Sequence, residues 1–120
     1  MTMKVIKMLS SYLYVNYMDV TFDELEREVG LYPWSIYEED DMVVICSAEL
    51  MAKEKRYNKA ASVLCREDIY GTVIIIGLGG RNGKEWVDVS PALVKRLKEI
   101  CNQVRTEEYY HGYRKRAPSR

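Results

Sequence analysis

With 120 residues the chain has room for one compact core and little else. Its 48% hydrophobic and 30% charged residues set it apart from disordered chains, which are poor in apolar groups. Lysine plus arginine number 18 and aspartate plus glutamate number 18, so there is no excess positive charge with which to coat a nucleic-acid backbone, and DNA is not an expected partner.

Residues Met3 to Leu9 and Tyr12 to Met18 alternate around Ser10-Ser11, which predicts two strands joined by a short turn. Thr21 followed by Glu24 forms a capping box, after which Phe22, Leu25 and Val29 share one helical face and Gly30 supplies a left-handed stop. From Leu31 the pattern turns extended. Tyr32, Trp34 and Ile36 are spaced by two, Pro33 points to an edge strand or to a strand's first residues, and Asp40-Asp41 makes a turn. Met42 to Cys46 reads as a buried strand. Between Ala48 and Ala61, helix-favouring Glu49 to Lys53 runs into polar residues of poor periodicity, which predicts a loop or a short helix on the surface.

Ile69 to Gly77 is rich in β-branched residues and predicts a central strand. The glycine cluster from Gly77 to Gly83 then connects it, as a long hairpin loop, to the alternating segment Glu85 to Val89. Ser90 caps a helix with Pro91 at its first position, and Leu93, Leu97, Ile100, Cys101 and Val104 form its apolar stripe. The expected architecture is α+β: a small, mostly antiparallel sheet with a short N-terminal helix and a longer C-terminal helix. Residues 1–108 form a single domain, and 109–120 an aromatic and then basic tail that frays unless a partner orders it.

The longest apolar runs, Val73 to Ile76 and Met42 to Cys46, are far shorter than the roughly 20 residues of a membrane span. The first residues lack a secretory core, so the expected address is the cytoplasm and no membrane is an expected partner. Cys46, Cys65 and Cys101 are odd in number and widely spaced, which predicts reduced, buried thiols. His111 is the sole histidine, so a site needing two imidazoles is excluded and neither metal nor cofactor is expected. The segment Gly77 to Lys84 fails as a nucleotide P-loop because Lys84 is followed by Glu85 and then a strand, not a helix. It reads as a turn, or as a nest of amides that with Arg81 meets an anion. The acidic pairs in Glu38 to Asp41, Glu67-Asp68 and Glu107-Glu108 fit turns and solvated faces, and with the one imidazole in the tail no catalytic constellation is expected.

Tyrosine is abundant, at ten residues. Tyrosine and arginine favour recognition surfaces, since they combine rigid area with polar handles and aromatic faces stack on bases. Arg56, Arg66, Arg81, Arg105 and Arg114 are the candidate anion contacts.

The Thr21-to-Gly30 helix ending in Glu28-Val29-Gly30, the strand Val43-Val44-Ile45-Cys46, Asn58-Lys59-Ala60, Ile69-Tyr70-Gly71-Thr72 and Trp86-Val87-Asp88-Val89 follow one another in an order that resembles a family of short domains of unknown function. Bacteriophages and mobile elements of Firmicutes and their relatives carry that family, and the resemblance covers roughly residues 3 to 100. Where the family has a compact acidic-glycine turn followed by leucine-proline-x-asparagine, this chain has Glu49 to Tyr57. The resemblance implies a phage or mobile-element setting, in which interference with host defence is the expected role.

The expected function is therefore non-catalytic binding by a homo-oligomer, at least a dimer, that sequesters a nucleotide-derived immune signal such as a cyclic ADP-ribose isomer or a cyclic oligonucleotide. Arginines and loop amides would hold phosphate and tyrosines would stack on bases, with Arg56, Asn58, Tyr70, Arg81, Asn82 and Arg105 as ligand residues. The alternative is a protein-binding inhibitor or adaptor in which Tyr109 to Arg116 becomes ordered against a host defence protein.

Overall fold

Strand β1 (Thr2–Leu9) turns at Ser10-Ser11 into β2 (Tyr12–Asp19), the two pairing without a register break from Leu9 opposite Tyr12 to Thr2 opposite Asp19. The computed structural model describes residues 2–48 and 56–115, those from 108 to 115 by backbone alone. Helix α1 (Phe22–Val29) follows, then β3 (Pro33–Glu39), β4 (Met42–Ser47), α2 (Lys59–Cys65), β5 (Val73–Gly79), β6 (Glu85–Val87) and α3 (Pro91–Lys115). The strands form one antiparallel sheet in the order β2-β1-β5-β4-β3, with β6 added to the end of β5. The α+β architecture, its short helix after β2 and its longer C-terminal helix are those the patterning predicts.

Local chemistry sets the helix ends. Thr21 accepts the Glu24 amide at 3.3 Å, and Gly30, at φ 110°, donates its N–H to the Glu26 carbonyl. The hydroxyl of Ser90 accepts the Leu93 amide at 3.1 Å ahead of Pro91.

Period-two alternation divides the core between the two faces of the sheet. Ile6, Met8, Met42, Val44, Val73 and Ile75 pack against Ala60, Ala61 and Leu64 of α2 and Leu93 and Leu97 of α3. Val5, Val43, Ile45, Ile74 and Ile76 face the other way, onto Leu25 and Val29 of α1. Because β4 and β5 are covered on both faces, their sequences are continuous apolar runs. The three cysteines are free and buried, as expected. Burial pushes the Cys65 thiol up to about 12 and the Cys101 thiol above its usual value.

Three elements depart from the sequence reading. The segment expected to lie on the surface before Ala61 leads into α2, whose Ala60, Ala61, Ser62, Leu64 and Cys65 are buried; residues 49–55 lie outside the described set. The central strand begins at Val73 rather than Ile69, because Ile69 and Gly71 are drawn into the loop ahead of it: the Ile69 carbonyl accepts the Asn58 amide, and Gly71, at φ 86°, donates to the Arg56 carbonyl. Helix α3 continues to Lys115, so the backbone of residues 109–115 belongs to the helix and not to a separate tail.

Candidate functional site

The β1–β2 turn and one stripe of α3 build a trough. Ser10 takes φ 59°, which lets two residues reverse the chain, and the carbonyl of buried Ser11 faces α3. The guanidinium of Arg105 donates to that carbonyl at 2.6 Å and to Asn102 Oδ1, and its carbon stands 5.2 Å from the centroid of the Tyr12 ring, a cation–π distance. Here Tyr12, Leu13, Lys98, Cys101, Asn102 and Arg105 line a recess of about 440 Å³. A second recess of about 430 Å³, lined by Lys4, Val15, Pro91, Val94, Lys95 and Lys98, continues it along β2. Lys98 belongs to both.

Positions 91, 94, 95, 98, 101, 102 and 105 recur at helical spacing, so α3 lays Lys95, Lys98 and Arg105 along one face beside its buried stripe of Leu93, Leu97, Cys101 and Val104. Lys4 joins them from β1, where its backbone is held by Asp88 Oδ1 at 2.9 Å and by the Val89 amide at 3.0 Å. No acidic side chain lines either recess, and Lys4, Lys95 and Lys98 have no ion-pair partner among the described residues. A protein of zero formal net charge thus gathers four cations against a floor of Tyr12, Leu13 and Val15. Such a surface is suited to an anion that carries a flat apolar part. Burial raises the thiol of Cys101, at the edge of the recess, above its usual value, and Arg105 lowers it in part.

The six expected ligand residues do not converge. Arg105 stands in the trough. Asn58 is wholly buried and its amide is spent on the fold: Nδ2 donates to the Met8 and Gly71 carbonyls at 2.9 and 2.8 Å, and Oδ1 accepts the Ala61 amide at 3.1 Å as the cap of α2. Its job is structural, because nothing of it reaches solvent. Tyr70 pairs edge to face with Tyr57, centroids 5.3 Å apart, next to exposed Arg56. This group borders the hairpin end, where Ala60 donates to the Ser10 carbonyl at 2.9 Å.

Arg81 and Asn82 lie at the opposite end of the sheet, in the loop after β5. Glycines at positive φ, Gly80 and Gly83, shape that loop, and Asn82 Oδ1 accepts the Lys84 amide at 2.9 Å. The recess there, about 400 Å³, is lined by Glu38, Glu39 and Asp40 as well as Asn82 and Lys84. Two of its carboxylates are already matched: Lys84 pairs with Glu38 at 3.1 Å, and Glu39 meets Arg96 at 2.9 Å and the Tyr37 hydroxyl at 2.6 Å. Three carboxylates make it a poor place for phosphate. The sequence reading missed Lys4, Lys95 and Lys98; the spacing of the latter two with Arg105, beside the apolar stripe, was the available signal.

No family model, no curated protein and no solved structure matches the chain. Among the described residues no helix is long and apolar enough to cross a membrane, and no group of histidine, cysteine, aspartate or glutamate is arranged to hold a metal ion.

Proposed function

We propose that this is a non-catalytic binding protein whose trough between β2 and α3 takes up a phosphate-bearing, nucleotide-type small molecule. The observation that carries the reading is the set of four cations, Lys4, Lys95, Lys98 and Arg105, free of acidic neighbours in the lining, with Arg105 over the Tyr12 ring. Lysines supply point charges to phosphate oxygens, Arg105, tied to the Ser11 carbonyl and Asn102, adds a fixed positive charge, and the tyrosine offers a face to a base. In the phage or mobile-element setting implied by the resemblance, the ligand is a nucleotide-derived immune signal, of the cyclic ADP-ribose or cyclic oligonucleotide type. The role is then anti-defence sequestration in the cytoplasm of the host cell, by a homo-oligomer.

The test is calorimetric titration of the protein with a panel of cyclic oligonucleotides and cyclic ADP-ribose isomers. The reading expects micromolar or tighter binding to at least one compound, weakened by salt and about tenfold or more by Lys98→Glu. Absence of heat with every compound, or binding indifferent to Lys98→Glu, contradicts it.

A second reading, an inhibitor or adaptor that grips a host defence protein, draws on the exposed aromatic groups. Tyr12, Tyr14, Tyr17, Phe22, Tyr32 and Trp34 all stand more than half exposed. Under it the panel gives no binding and the activity follows the aromatic surface.

A further inference from the structure

The two edges of the sheet are built differently. On β3, Pro33 opens the strand, the register slips between Ser35 and Tyr37, and Glu38-Glu39 closes it, three devices that keep other strands away. On β2 there is none of these: eight residues pair in unbroken register, proline is absent, and the single charge, Asp19, comes last. The Ser10-Ser11 turn makes Leu9 and Tyr12 the hydrogen-bonded closing pair, so by alternation Tyr14 and Asn16 also bond to β1. The N–H and C=O groups of Leu13, Val15 and Tyr17 then point outward, and none of these six groups has a partner among the described residues.

We propose that β2 pairs antiparallel with β2 of a second copy, about a twofold axis at Val15. An axis perpendicular to the sheet keeps like faces together, and only a centre at Val15 sets all three outward residues against outward residues: Val15 on Val15, Leu13 on Tyr17 and Tyr17 on Leu13. Six backbone hydrogen bonds form. The side chains match, with Leu13, Val15 and Tyr17 continuing as one apolar row across the seam on the α3 face, and Tyr14 meeting Asn16 on the other. Leu13 and Val15 also floor the trough, so the axis joins two troughs side by side. This last consequence rests on the reading of the trough as a phosphate site; the interface does not.

Sedimentation equilibrium across the micromolar range tests the interface, with hydrogen exchange of the Leu13, Val15 and Tyr17 amides measured in parallel. The expected result is a dimer in which those three amides exchange slowly, their protection disappearing on dilution. Val15→Pro removes the central outward N–H while sparing every bond to β1, and should weaken the dimer about tenfold or more. Tyr17→Lys sets an ammonium against Leu13 at a position 71% exposed and should do the same in a folded chain even if the proline variant fails to fold. A monomer at all concentrations, fast exchange of the three amides in a dimer, or a dimer that tolerates Tyr17→Lys overturns the proposal. A dimer that binds no nucleotide defeats the functional reading and leaves the interface standing; a monomer that binds one does the reverse.

Discussion

The two ends of the sheet carry recesses of similar size, about 440 Å³ beside the Ser10-Ser11 turn and about 400 Å³ beside the Gly80–Lys84 loop, yet they differ in what their charges do. At the loop end, Glu38 and Glu39 are answered by Lys84, Arg96 and the Tyr37 hydroxyl, so the charges hold the protein to itself. At the hairpin end, Lys4, Lys95 and Lys98 are left to solvent among the described residues, with Arg105 anchored to the backbone and stacked on Tyr12. Volume does not separate the two recesses; the sign and pairing of the charge that lines them does.

The largest effect should come from removing the support of the hairpin end. Asn58→Ala leaves the Met8 and Gly71 carbonyls without their buried donor and strips the cap from α2, at a cost of about 3 kcal/mol. Urea denaturation measures the loss. Thiol labelling localises it, since Cys65, protonated and buried in the native state, should become reactive as α2 opens.

Next comes Gly77→Ala, which presses a methyl group to within 2.7 Å of the Asp88 carbonyl oxygen and 2.8 Å of that of Val87. Both are backbone atoms that cannot swing aside, so the variant should lose about 2 kcal/mol and disturb the Asp88 and Val89 bonds that place Lys4. Thermal melting reads the loss directly.

Charge reversal then separates the two ends. Lys98→Glu should weaken nucleotide binding about tenfold or more, while Lys84→Glu, which breaks only the pair with Glu38, should leave affinity unchanged. Calorimetry of both variants decides it.

The smallest effect is a pH dependence at the loop end. The Tyr37 hydroxyl, and after it Arg96, outweigh burial and hold the Glu39 carboxyl below its ordinary range. A carboxyl depressed in the folded state contributes stability that is present above its unfolded value and lost as pH falls through the folded one. On acidification below the usual carboxylate range, the urea midpoint of the native protein should therefore drop more steeply than that of Tyr37→Phe.

Much of this fold was written locally. The hairpin, α1, the edge character of β3, buried β4 and the start of α3 each follow from alternation or from a cap, signals that sit within a few residues of one another. Helix α2 was not legible because Ala60, Ala61, Ser62, Leu64 and Cys65 are buried on more than one side and leave no amphipathic stripe; it exists through Asn58 and its contacts with the sheet and α3. The start of β5 was placed early for a related reason, since β-branched Ile69 answers to a bond from Asn58 rather than to its propensity. Of the site, Arg105 was legible and its neighbours were not. Lys4 and Lys98 are distant in sequence, and only the packing of α3 across β1 and β2 brings them together.

Whether the trough between β2 and α3 takes up a nucleotide can be read from titration of the isotopically labelled protein with a cyclic oligonucleotide, followed through its backbone amide spectrum. Shifts should saturate together at Tyr12, Leu13, Lys95, Lys98 and Arg105 while Gly80 to Lys84 stay still. A spectrum that does not move, or one whose changes gather at the Gly80–Lys84 loop, would contradict it.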